Sequence, residues 1–150
     1  MIAALGVILW LTGRPFVFPS LGPTAFMLAL RPRQHPAREV IGGHLWGVSA
    51  GLLSYHLVAG GLTLGSMPAA WSLEAVRLTG SAVLSVALTA GAMVATRTVH
   101  APACATTLIV SLGLLPLLTD GLLIMIGVAF LYGLHRAIDA VWAREPRREA

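Results

Sequence analysis

Lysine is absent, cysteine occurs once, at Cys104, and charged residues make up only 11% of the 150-residue chain. A lone cysteine excludes an internal disulfide and any multi-cysteine metal site. Soluble domains average about 25% charged residues, and less than half that density cannot hydrate a surface. Apolar residues fill the gap at 57%, with 16 Gly and 9 Pro and a mean hydropathy of +0.82. Lipid has to cover such a surface, so the chain reads as an integral membrane protein. A hydrocarbon core of about 30 Å takes about 20 helical residues per crossing. The length therefore suits four to six crossings in one membrane domain, residues 1–143, with a short Arg-rich tail over 144–150.

Enzyme signatures are scarce too. There is no H-E-x-x-H, no P-loop and no CxxC, and the six acids sit mainly near the ends of apolar runs, where they assemble neither a carboxylate dyad nor a metal cage. The expectation is no enzymatic step, no metal and no cofactor. The net charge of +4 comes from ten arginines, but these cluster at the ends of apolar runs (Arg31, Arg33, Arg38; Arg144, Arg147, Arg148). That is the pattern of cytoplasmic membrane flanks, not of a nucleic-acid surface. Residues 1–12 are apolar without a basic lead-in or a small-residue cleavage site, and read as retained.

What remains is apolar runs and the breaks between them. Residues 2–11, 40–62, 73–95 and 121–142 predict four membrane helices, the first short. Two intervening stretches are apolar but punctuated: 14–30 by Pro15, Pro19, Gly22 and Pro23, and 96–118 by Pro102, Gly113 and Pro116. Ser20 suits an N-cap and Pro102 a first helical position, so each stretch predicts a half-helix of about ten residues, ~15 Å long, after an extended segment (15–19 and 96–100). The fold expected is an all-α polytopic membrane protein of four helices plus two half-helices. Aligning the Pro19 and Pro102 segments, offset by about 80 residues, suggests an inverted repeat with six passes. The arginine clusters and the Arg97 junction then share the cytoplasmic side of an inner (plasma) membrane, and Arg14 alone is misplaced.

Half-helix N-termini buried in a bilayer offer backbone N–H groups and positive dipole ends to an anion. Irregular backbone at that depth marks a cavity. The expected site for a small inorganic anion is therefore Ser20, Gly22, Thr24, Arg97, His100, Pro102, Thr106 and Thr107. Gly43, Gly47 and Gly51 form a small-residue ladder for helix packing, and Ala87, Gly91 and Ala95 form a second, expected to face it. His44 and His56 read as packing histidines, and His135 and Asp139 as an i, i+4 pair. A homodimer is expected around so thin a wall. Two other functions fit the same residues: a structural or assembly subunit joined through the ladders, or a redox or metal-handling protein using His44, His56 and His100.

Three segments carry a resemblance: Pro19-Ser-Leu-Gly-Pro-Thr-Ala, the Arg31 to Arg38 loop leading into Glu39-Val-Ile-Gly-Gly-His44, and Thr96-Arg-Thr-Val-His-Ala-Pro-Ala103. In order and spacing the chain resembles the HPP family of small integral membrane proteins over roughly residues 16–142. The resemblance implies a four-helix membrane protein, and chloroplast members associated with nitrite transport make a nitrite-like anion the expected substrate. The family's His-Pro-Pro signature stands here as His100-Ala101-Pro102.

Overall fold

The computed structural model describes residues 1–30, 35–66 and 68–142. These form α1 (Ile2–Thr12), α2 (Val17–Leu30), α3 (Ala37–Ser54), α4 (Leu73–Thr96), α5 (Ala103–Ser111) and α6 (Leu118–Trp142), and there is no strand among the described residues. Arg31, Arg33, Arg144, Arg147 and Arg148, with the tail expected over 144–150, lie outside the described residues.

Two helices, α4 and α6, are long and apolar enough to cross a membrane, and only 28% and 33% of their most apolar windows are buried in the protein. Most of their apolar surface therefore faces outward, as lipid-facing helices require. Val83, Ile126 and Phe130 belong to that outward apolar surface, and Trp10, Phe26 and Leu53 extend it to α1, α2 and α3. Inside, Leu5, Leu21, Val48, Val110, Ile124 and Leu131 belong to one continuous core.

Long-range contacts fix the direction of each helix. One end of the bundle joins Arg38, which donates to the Thr96 carbonyl, to Tyr132, which donates to the His35 carbonyl at 3.1 Å. Met1 and Leu28 lie beside His135 and Trp142 at this same end. At the opposite end Arg14 pairs with the buried Asp120 at 3.3 Å, and the Leu64 N–H donates to the Leu112 carbonyl at 2.9 Å. Consecutive helices therefore alternate in direction. The Arg14 charge, misplaced by the sequence pattern, is matched by Asp120. Arg77, one turn into α4, lies at this end as well and donates to the Val58 carbonyl at 2.8 Å.

Several boundaries differ from the sequence reading. α2 begins at Val17, so Ser20 is inside the helix and not its cap; the 15–19 segment turns instead of extending, with Val17 N–H on Arg14 O and Phe18 N–H on Pro15 O. Pro19 is tolerated because it falls in the first turn, where an N–H has no intrahelical acceptor. α3 stops at Ser54 and widens into a π-helical turn, Tyr55–Ala59, in place of a straight run to residue 62. α6 starts three residues before Gly121, where Asp120 accepts the Leu117 N–H at 3.2 Å.

The glycine ladders divide. A Cβ on Gly43 would meet the His100 Cβ at 2.5 Å, one on Gly47 the Ala103 carbonyl at 3.0 Å, and one on Gly51 the Val110 Cβ at 2.9 Å. The α3 ladder is thus the seat of α5 and of the segment leading into it. Ala87, Gly91 and Ala95 are exposed on the outer face of α4, contrary to expectation. The inner face of α4 carries Ser81, Ser85, Thr89 and Met93, because hydroxyls need protein partners that lipid cannot supply, while Ala and Gly do not.

Alanine at Gly47 or Gly51 should therefore lower the midpoint of thermal unfolding in detergent. Overpacking typically costs 1–3 kcal/mol, against which helix propensity returns about 1. Gly91→Ala, with nothing within 4 Å, should leave the midpoint unchanged or raise it.

Candidate functional site

The α4–α5 connection starts as a helix end and finishes inside the protein. Arg97 closes α4 in the left-handed conformation, φ 55°, a state that costs a non-glycine residue about 1–2 kcal/mol. From there the chain is extended for three residues, with Thr98 and His100 buried and Val99 exposed, the alternation of a strand-like path. Gly42 and Gly43 make room for it: a Cβ on Gly42 would meet Thr98 Cγ2 at 2.7 Å. Thr96 anchors the start, accepting from Trp46 Nε1 at 3.0 Å while donating to Ala92 O at 2.7 Å. Pro102 then opens α5.

This path delivers His100 to a continuous chain of polar side chains. His100 Nε2 lies 3.1 Å from Thr24 Oγ1, and Thr24 Oγ1 lies 2.8 Å from His44 Nε2. The other ring nitrogen, His44 Nδ1, is 2.8 Å from Thr106 Oγ1, which is 2.8 Å from Ser20 Oγ and 3.3 Å from the Ser20 carbonyl. Ser20, Thr24, His44 and Thr106 are fully buried and His100 is 2% exposed. The two imidazoles stand 5.3 Å apart, tilted by 56°. No carboxylate hydrogen-bonds to any of these side chains among the described residues; Asp120 is held by Arg14, and Asp139 faces His135 at 3.5 Å, the pair read from the sequence.

Four of the eight expected residues, Ser20, Thr24, His100 and Thr106, meet in this chain. Thr107 points to the other side of α5, where it donates to Ala103 O at 3.1 Å and meets Thr89 Oγ1 at 3.1 Å. There it borders a cleft of about 250 Å³ between α4 and α5, beside Met93 and Cys104. Pro102 is half-buried at the head of α5. Gly22 is half-buried with open space around it, and Arg97 is exposed; neither touches the chain of side chains.

The backbone donors expected at the two helix starts are occupied. Ala103, Cys104 and Ala105 N–H bond to His100, Ala101 and Pro102 carbonyls, and Ser20 N–H bonds to Phe16 O. Tight i to i−3 turns satisfy the groups that an open helix end would present. Moreover, α2 and α5 meet through side chains of their first turns, Ser20 and Thr106. Whatever polar chemistry the interior offers comes from side chains.

His44 is the residue that sequence reasoning undervalued. It follows Gly43 on the ladder face, and its neighbours' lack of side chains is the signal that a second element lies against it. His56 is exposed and meets Tyr55 edge to face; it does not join His44 and His100. Among the described residues, no three His, Cys, Asp or Glu side chains gather as a metal site. Gly47-Val-Ser49-Ala-Gly51 also spells the nucleophile-elbow pattern G-x-S-x-G. It lies within α3 with Ser49 exposed, where no strand-to-helix turn presents the serine, and two of its glycines are the packing positions described above.

The HPP transmembrane-region family model matches residues 1–144. This chain belongs to the HPP family. It is accordingly a membrane protein, in contact with the bilayer, and its lipid-facing helices agree with that. Comparison with curated proteins and with solved structures gave no match. In the HPP signature of this protein, His100 ends the buried chain, Pro102 starts α5, and Ala101 between them is exposed.

Removing the Thr24 hydroxyl leaves two buried imidazole nitrogens, His44 Nε2 and His100 Nε2, without that partner, at about 1–3 kcal/mol each. Thr24→Val, nearly isosteric, should lower the unfolding midpoint in detergent more than Thr24→Ser. Ser20→Ala and Thr106→Val should be non-additive in a double-mutant cycle, because the two hydroxyls share one bond.

Proposed function

We propose that this HPP protein carries a small monovalent oxyanion of the nitrite and nitrate type across the membrane, with Ser20, Thr24, His44, His100 and Thr106 as its binding groups. The supporting observation is the burial, inside a lipid-facing bundle, of a carboxylate-free cluster made of hydroxyls and imidazoles. Polar groups at membrane depth are costly and mark a pathway more often than a packing detail. Every member of this cluster can donate a hydrogen bond. A cation would find no negative partner among them.

On this reading the six alternating helices are six passes. α5, nine residues and about 14 Å long, is the broken pass of the second half, with α2 its counterpart in the first. The side chains are sealed from solvent, so an anion enters only when α2 and α5 part. Binding then exchanges the internal hydrogen bonds for bonds to the anion, as discontinuous helices do in other transporters. The protein's own chemistry is binding and release, with no covalent step.

The assembly-subunit reading rests on less. Its α3 ladder is spent inside the bundle against α5, leaving Ala87, Gly91 and Ala95 as the small-residue face on which a second copy would pack.

Proteoliposomes test the proposal. Nitrate is the better probe, because its acid is strong and does not leak across lipid as a neutral molecule. Uptake should exceed that of protein-free vesicles and fall at least tenfold in the Ser20→Leu, Thr106→Val double variant; equal uptake in the two proteins removes this cluster as the site.

A further inference from the structure

The geometry points to a proton relay: we infer that His100, Thr24, His44, Thr106 and Ser20 form a hydrogen-bonded wire that passes protons along the bundle axis. The inference uses the same side chains as the proposed anion site, and it goes beyond that reading because the wire needs no anion in place to exist.

Four contacts of 2.8–3.1 Å link five groups without a gap. Each of these groups can both donate and accept: a hydroxyl has one proton and two lone pairs, and a neutral imidazole has one N–H and one bare nitrogen. Two proton arrangements satisfy every contact. In one, His100 Nε2–H donates to Thr24, Thr24 to His44 Nε2, His44 Nδ1–H to Thr106, and Thr106 to Ser20 Oγ. In the other, all of these bonds run in reverse, from Ser20 to His100. A structural network needs only one polarity, but a wire needs both, since a transfer converts one into the other.

The transfer balances. A proton given to His100 Nδ1 by hydronium or by the acid form of the carried anion makes that ring an imidazolium, which passes its Nε2 proton to Thr24. The Thr24 hydroxyl proton moves to His44 Nε2, and His44 releases its Nδ1 proton to Thr106. Thr106 passes its own proton to Ser20, and the Ser20 proton leaves from Oγ to a water or anion that must first reach this buried hydroxyl from the Arg14–Asp120 end. One proton enters, one leaves, and every side chain ends neutral with its bond reversed. Rotation of each hydroxyl and a flip of each imidazole ring, which exchanges its N–H and bare nitrogen without a proton transfer, restore the first polarity.

The wire runs along the bundle axis through the buried middle of the protein, over about one turn of α2. Ser20 is in the first turn of α2, which starts beside the Arg14–Asp120 pair, and Thr24 is one turn deeper. His100 lies toward the Arg38 and Thr96 end, against Gly43. The elements around the wire do not trap its charge. α2 and α5 bring hydroxyls, and α4 brings Thr89 and Met93. The acids of the described helices are spoken for or outlying: Asp120 is paired with Arg14, Asp139 with His135, Glu39 sits half-buried in the first turn of α3, and Glu74 is exposed. His35, just before α3 at the Arg38 end, has a buried Nε2 with no partner within the described protein.

The test is proton flux in vesicles loaded with pyranine, with potassium and valinomycin clamping the voltage. After an external acid step, internal pH is followed in potassium gluconate and, separately, in potassium nitrate. Wild-type protein should acidify the lumen faster than protein-free vesicles in at least one salt. Thr24→Val should cut that excess at least tenfold and Thr24→Ser should restore a third or more of it, both proteins being monodisperse. Wild-type flux no faster than protein-free vesicles in either salt overturns the relay, as does Thr24→Val conducting like wild type. Nitrate uptake without proton movement overturns the relay and leaves the anion proposal standing. Proton flux without nitrate uptake supports the relay and removes the anion proposal.

Discussion

The contact on which the rest of the structure depends is the backbone-to-backbone approach of α3 to α5 and its lead-in, along Gly42, Gly43, Gly47 and Gly51. Lipid gives helices no hydrophobic reason to associate, so close van der Waals contact and internal hydrogen bonds must do it. With side chains at those positions the extended 98–100 segment could not lie on α3, and His100 would not reach Thr24. The same approach presents the α3 residue between the glycines, His44, to Thr106 on α5. One row of missing side chains thus determines both how the helices pack and which polar groups meet.

Solvent explains the rest of the arrangement. The exterior is apolar because lipid accepts no hydrogen bond, and on the lipid-exposed α4 Ser81, Ser85 and Thr89 therefore turn inward. Ser81 donates to the Ser111 carbonyl, Thr89 meets Thr107, and Thr96 collects Trp46 and Thr98. Against that background the His100 to Ser20 chain differs in kind. Most hydroxyls elsewhere settle on a carbonyl, which fixes their direction; here the successive links are side chain to side chain, and each link can reverse. The Ser20 carbonyl, at 3.3 Å from Thr106, is the longer and competing acceptor.

Much of the fold was legible. Residues 73–95 and 103–112 were placed within a residue or two, because long apolar runs and a proline at a helix start are strong local signals. The breaks were legible as breaks but not in form: Pro19 reads as a stop, yet in a first turn it costs no hydrogen bond, so α2 runs through Ser20. The direction in which α4 faces was misread because Ala87, Gly91 and Ala95 share their four-residue spacing with Ser81, Ser85 and Thr89, and only the need to satisfy hydroxyls tells the two faces apart. Ser20, Thr24, His100 and Thr106 do come together, but were grouped for a partly wrong reason. They lie where two short helices meet, but the helix ends they were meant to mark have no free N–H groups. His44 escaped because a histidine's partners are set by what packs against it, which one helix cannot disclose.

The signature itself can now be read position by position. His100 is fixed by its bond to Thr24 and by the absence of a side chain at Gly43. Pro102 is fixed by the turn it starts, with the Ala105 N–H on its carbonyl. The residue between them has the weaker constraint: Ala101 is exposed, and its carbonyl accepts from the Cys104 N–H. A proline would keep that carbonyl while stiffening the entry to α5, so its replacement by alanine changes how rigidly His100 is presented without removing a contact from the buried chain. Chemistry in this protein therefore belongs to the first residue of the signature and geometry to the last. The middle one, exposed, takes part in neither.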